Sequence, residues 1–135
     1  MIIQIGQKAS ISKTISESDV YCFAGLVGDF NSAHLNQVFA EKNIFGNRVA
    51  HGMLVGSLIS AVLGTKLPGE GTIYLEQNLK FKKPVYFGDT VTATVTVDEI
   101  INSDKGIYKL NTIVENQKNE VVIDGYAVVM FNEIN

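Results

Sequence analysis

Between Val49 and Leu63 the chain presents apolar groups to nearly every side of a helix, through Met53, Leu54, Val55, Leu58, Ile59, Val62 and Leu63. A helix that is hydrophobic all round is a buried one, so the rest of the chain has to enclose it. Its length, roughly 22 Å at 1.5 Å per residue, is too short to span a bilayer, and His51 lies inside it. Gly64 stands at its exit. Beyond this stretch the period changes from helical to two. Val91, Ala93, Val95 and Val97 alternate strictly with Thr90, Thr92, Thr94 and Thr96, which describes a half-buried strand. Residues 72–82 alternate in part. Two further strands are expected over Ile107–Glu115 and Glu120–Phe131, set off by turn clusters at Asn102–Gly106 and Asn116–Asn119. Long strands joined by tight turns make an antiparallel sheet. One buried helix and one such sheet give an α+β layer, with the sheet wrapped round the helix in a hot-dog fold. Its exposed edges favour pairing with a second copy, so a homodimer or higher homo-oligomer is expected.

Upstream, Ser16-Glu17-Ser18-Asp19 has the form of a helix start, with a capping hydroxyl and acidic residues in the first turn. Val20, Phe23, Ala24 and Val27 continue at helical spacing, and Gly28 can close the helix. A short helix is expected around Gln37 to Lys42, within a stretch from Asp29 to Asn47 that otherwise has no strong period.

With 135 residues the chain fits one domain over 1–135, and it shows no internal repeat or low-complexity linker. A net charge of -3 argues against a nucleic-acid partner, although a local basic patch can still receive one anionic ligand. The single cysteine, Cys22, allows no internal disulfide and suits a reduced cytoplasmic setting. The first ten residues lack the basic and apolar segments of a secretory signal, so a soluble protein without a membrane partner is expected. Two histidines and one cysteine make a poor metal set, and no dinucleotide or P-loop glycine pattern is present. Neither a metal nor a separate cofactor is expected.

Gly28-Asp29-Phe30-Asn31-Ser32-Ala33-His34 is the strongest local signal. A carboxylate and an imidazole five positions apart in a polar segment can hold a water and move its protons, as hydration requires. Alternatively Asp29 caps the short helix and His34 simply packs with a satisfied bond. On spacing alone the second reading is the commoner one, because Asx caps are frequent. The second signal is His51-Gly52, at a helix start whose free amides favour negative charge. There the Gly52 N–H can donate to a thioester carbonyl, and the missing Cβ lets a ligand come close. Equally, Gly52 can serve only to let the helix enter tightly. Gly52, Gly56, Ser60 and Gly64 recur at intervals of four, a small-residue face suited to close packing, with Ser60 adding a hydroxyl that needs a partner if buried. Lys80, Lys82 and Lys83 form a basic cluster that is either a solvated edge or a contact for ligand phosphates.

These motifs resemble those of the MaoC-like (R)-specific enoyl-CoA hydratases. The likeness rests on the segment from Gly28 to His34 and on Phe45-Gly46-Asn47-Arg48-Val49-Ala50-His51-Gly52-Met53-Leu54. It continues through Leu67-Pro68-Gly69, Tyr74, Phe81-Lys82-Lys83-Pro84-Val85 and Gly88-Asp89-Thr90-Val91. The resemblance implies a hot-dog fold and hydration of a trans-2-enoyl-CoA to the (R)-3-hydroxyacyl-CoA, with CoA entering only as part of the substrate. It places the catalytic pair on Asp29 and His34, the oxyanion amide on Gly52, and an accompanying serine on Ser60. Many members have proline where this chain has Ser32, which bears on the stiffness of the loop. A hot-dog acyl-CoA thioesterase is the main rival, and a non-catalytic acyl-CoA-binding subunit the other. Such thioesterases generally carry an acid on or beside the central helix. From Asn43 to Gly69 this chain has neither Asp nor Glu.

Overall fold

The structure is a computed structural model and describes residues 2–133. In chain order it contains β1 (Lys8–Thr14), α1 (Glu17–Val27), α2 (Ser32–Leu35), α3 (Gln37–Glu41) and α4 (Gly52–Thr65), then β2 (Ile73–Phe81), β3 (Thr90–Asn102), β4 (Ile107–Glu115) and β5 (Val121–Met130). The valine–threonine alternation fixes how β3 sits. Val91, Ala93, Val95 and Val97 are buried, while the intervening threonines are only partly covered. Burying every second residue commits the strand to one register, because a one-residue slip would turn the valines outward.

The strands form one antiparallel sheet in the order β1-β3-β4-β5-β2. Two tight turns build its centre. Gly106 (φ 68) closes the β3–β4 hairpin, and Asn119 (φ 60) closes β4–β5 as one of the few side chains that tolerate the left-handed region. Against the inner face lies α4, which contacts β1, β2, β3 and β4 and packs Val55, Ile59, Val62 and Leu63 into the common core. This is the expected α+β, hot-dog arrangement.

Several local expectations hold. Ser16 and Asp19 form a reciprocal capping box at the start of α1, and Gly28 ends that helix in the left-handed region at φ 81. The short helix expected near Gln37 is α3. Other features differ from the sequence reading. The apolar helix begins at Gly52 rather than Val49, because Val49 pairs with Tyr86 in a β-bridge and the Ala50 N–H bonds the Val85 carbonyl. Gly64 lies inside α4 rather than at its exit. Nor is α4 buried all round: Gly52, Met53, Ser57, Ser60 and Gly64 are exposed in the single chain, Met53 by 60%. The small residues do gather on one side, but close packing is seen at Gly52 and Gly56 and not at Gly64. At Gly56 an added Cβ would stand 3.2 Å from Leu79, whereas at Gly64 nothing lies within 4 Å. Among the described residues no helix is long and apolar enough to cross a membrane.

Candidate active site

Gly28 turns the chain out of α1 and into Asp29. The Asp29 Oδ1 accepts the Asn31 N–H at 3.2 Å, and the Asn31 side chain in turn caps α2 by accepting the Ala33 N–H at 2.9 Å. Asn31, not Asp29, is therefore the cap of this turn. The Asp29 side chain is left 50% exposed.

His34 sits on α2, a single turn that the sequence pattern did not suggest. Its Nδ1 lies 2.7 Å from the Val49 carbonyl oxygen. A carbonyl oxygen only accepts, so Nδ1 carries the hydrogen and the neutral ring keeps its lone pair on Nε2. His34 is thus oriented as a base by a main-chain group. One side-chain nitrogen or carboxylate oxygen from each of Asp29, His34 and His51 lies within 4.8 Å of the other two. A single water with hydrogen bonds of about 2.8 Å can bridge a gap of that size.

This cluster is also the group of side chains that could offer ligands to a cation. Its geometry suits that poorly. The His34 and His51 rings stack at 3.8 Å with 28° between their planes, so their in-plane lone pairs run in nearly parallel layers. One nitrogen of each ring is already on a carbonyl oxygen, His34 on Val49 and His51 on Asp29.

Beside the cluster opens a largely apolar cavity of about 480 Å³, lined among others by His34, Val49, Gly52, Met53, Phe81 and Val85. Gly52 is the first residue of α4, where backbone N–H groups have no partner within the helix. Its missing Cβ is used by the protein itself: a Cβ there would stand 2.7 Å from the Phe81 ring. The space beside Gly52 that the sequence reading left for a ligand is therefore taken by Phe81. Ser60 is not in this cavity. It is exposed and borders a second cavity of about 670 Å³ together with Gly56, Ser57 and Tyr74. Met53 and Phe81 line both cavities. Of the three lysines, Lys82 and Lys83 line the first cavity, and Lys83 is also paired with Glu120.

Two residues have structural roles that their sequence positions did not assign. Arg48, the single arginine of the chain, reaches Gln37 on α3 at 3.1 Å, the Tyr21 hydroxyl at 2.7 Å and Glu17 at 3.0 Å, and lies over the Phe87 ring. The Tyr21 hydroxyl, and next to it Arg48, hold the Glu17 carboxyl below its usual range. This network braces the residue adjoining Val49, whose carbonyl orients His34. The other is His51, buried to 2% exposure between His34 and Phe23.

A family model described as "MaoC like domain" matches residues 2–119. The chain belongs to the MaoC-like family. A MaoC-like relative from Rhodospirillum rubrum, named (R)-specific enoyl-CoA hydratase, is 55% identical over 128 residues, 95% of this chain and 88% of that protein. One of the same name from Aeromonas caviae is 45% identical over 127 residues, 94% of each chain. Among solved structures, the (R)-hydratase from A. caviae involved in PHA biosynthesis superposes with a TM-score of 0.92 at 44% identity, covering 96% of this chain and 98% of that one. The family, its hot-dog fold and the sequence motifs thus agree.

Proposed function

We propose that this chain is an (R)-specific enoyl-CoA hydratase, adding water reversibly across a trans-2-enoyl-CoA to give the (R)-3-hydroxyacyl-CoA. The observation that carries the reading is the His34 ring, whose Nδ1 is tied to Val49 while Asp29 stands within one water's reach beside an apolar cavity. In the proposed mechanism one water bridges the Asp29 carboxylate and the His34 Nε2. As the water oxygen bonds to C3, His34 takes one of its protons, and the carboxylate offsets the charge that develops on the ring. The electron pair of the double bond shifts so that negative charge gathers on the thioester oxygen, to which the Gly52 N–H at the start of α4 donates a hydrogen bond. A donor so placed contributes about 3 kcal/mol in a dry site. His34 then returns a proton to C2, so that the sum is OH on C3 and H on C2.

Lys82 and Lys83 border the same cavity and suit the phosphates of the CoA moiety. Ser60 lies two turns along α4 from Gly52, and in the proposed complex its hydroxyl borders the substrate rather than the reacting water. The open side of α4 and the exposed edge strand β2, with Ile73 and Leu75 half exposed, suit pairing with a second copy of the chain.

The test is a panel of trans-2-enoyl-CoAs, with product chirality read by an (R)-specific coupled reaction. Asp29→Ala and His34→Ala should each lower turnover by about 10² to 10⁴ while the chain stays folded. Near-normal turnover in both variants, or an (S) product, rejects the reading. Release of free CoA would move it to a thioesterase.

A further inference from the structure

His51 is buried, titratable and unused by the mechanism above. It stands at the N-cap of α4, where a side chain ordinarily turns onto the first amides of its own helix. This one makes no such bond. Its Nε2 instead reaches back 22 positions to the Asp29 carbonyl oxygen at 3.0 Å. That carbonyl can only accept, so Nε2 carries the hydrogen, and the neutral ring has its lone pair on Nδ1. Nδ1 is buried and has no hydrogen-bond partner among the described residues. One face of the ring stacks on His34 at 3.8 Å, and Phe23 of α1 lies tilted against it at 4.9 Å.

The same ring therefore touches both halves of the catalytic pair. It holds the backbone of Asp29, and it backs the imidazole of His34. Both supports bear on freedom that the pair otherwise has. Asp29 follows a left-handed glycine, is half exposed, and is steadied locally by the 3.2 Å bond from the Asn31 N–H. Its carboxylate can swing unless its main chain is pinned.

We propose that His51 is a positioning residue for the hydration: its Nε2–H anchors the main chain of Asp29 and its ring backs His34, setting the separation that one water must bridge. The inference rests on the reading of Asp29 and His34 as the reacting pair. Misplacing a reacting group by about 1 Å can cost about a hundredfold in rate, so the effect should fall on kcat.

Three variants separate anchoring from packing. His51→Gln places an amide nitrogen where Nε2 stands and can still donate to Asp29. His51→Asn ends one atom short, and His51→Phe keeps a ring without a donor. With a short trans-2-enoyl-CoA, His51→Gln should turn over at least about tenfold faster than either of the others. KM should stay within about twofold of the parent in all three, since the ring is not part of the cavity lining. Equal kcat for Gln and Asn, or a loss carried by KM, overturns the proposal. If the Phe variant fails to fold, the Gln–Asn comparison still decides. A measurement on the unaltered protein is independent of folding defects: long-range ¹H–¹⁵N NMR of the two imidazoles should show His51 protonated on Nε2 and His34 on Nδ1. The opposite tautomer for His51 overturns it. Should Asp29→Ala and His34→Ala both hydrate normally, the underlying reading falls. Should they fail while Gln and Asn are alike, only the role of His51 falls.

Discussion

In β3 and β4 the place of each side chain follows from backbone pairing that repeats along the strands, Thr92 opposite Glu115, Ala93 opposite Val114, Thr94 opposite Ile113. Between Gly28 and His51 the main-chain bonds are short turns and isolated links, and single side chains add to them. Asn31, Asn36, Asn43 and Asn47 each accept a nearby main-chain N–H, and His34 and His51 each donate to a main-chain carbonyl further off. The sheet is redundant, so its geometry survives the loss of most individual contacts. The loop segment is less so, and it carries the proposed reacting pair. Substitutions in the two regions should therefore fail in different ways.

The sheet should break only where strands leave no room for a Cβ. Gly125 of β5 is such a place, since a Cβ there would stand 1.9 Å from the Asn78 carbonyl oxygen of β2. Gly125→Ala should cost about 3 kcal/mol or more in urea unfolding, by forcing β2 away from β5. A loss below about 1 kcal/mol would mean that the edge strand yields easily. Next in size is Arg48→Met, which removes the links to α1 and α3. It should lower turnover by about tenfold through the Val49 carbonyl and cost about 1 to 2 kcal/mol, read by steady-state kinetics and thermal melting. An unchanged kcat would show that Val49 is braced by its main-chain links to Ala33 and Tyr86 without Arg48.

Gly52→Ala tests where the two regions meet. The Phe81 ring has to move aside, so we expect about 1 kcal/mol of destabilisation and a fall in turnover of a few-fold to about tenfold. Adding Phe81→Leu should return part of the lost stability, and no recovery would place the strain elsewhere. Smallest is the capping box, remote from the cavity. Ser16→Ala should cost about 1 kcal/mol and leave kcat unchanged. The Ser16 N–H, with Lys13 adding to it, holds the Asp19 carboxyl below its usual range against a smaller opposing effect of burial. Because the folded pKa is the lower one, this stabilisation is fully present above the unfolded carboxylate pKa and is lost as pH falls through the folded value. The gap between the parent and Asp19→Asn should therefore close on acidification below about pH 4, as read by melting.

The same contrast explains what could be read in advance. Val91 to Val97 announce a strand because burial repeats with a period of two, and Ser16 with Asp19 announce a helix start because the capping bonds are local. β1 gave no such sign. Its sequence, Lys-Ala-Ser-Ile-Ser-Lys-Thr, is largely polar and edge-exposed, and it becomes a strand by pairing with β3, whose partners lie 76 to 88 positions away. α2 is a four-residue turn capped by Asn31, too short to show a period. The open side of α4 was hidden because glycine and serine mark closeness to something without saying what. Of the candidate site, the meeting of Asp29 with His34 and the place of Gly52 near a helix start were legible through their motifs. The parts played by Arg48 and His51 were not, since each depends on partners 11 to 39 positions distant that no local pattern encodes.

In the proposed reaction, Val49 shows one consequence of orienting a base through the main chain. Its carbonyl fixes which nitrogen of His34 is protonated, while its side chain forms part of the cavity wall. Every amino acid supplies that carbonyl. Evolution can thus reshape the wall at this position for a wider or narrower acyl group without touching the chemistry, so selectivity and reactivity are separately adjustable at a single codon.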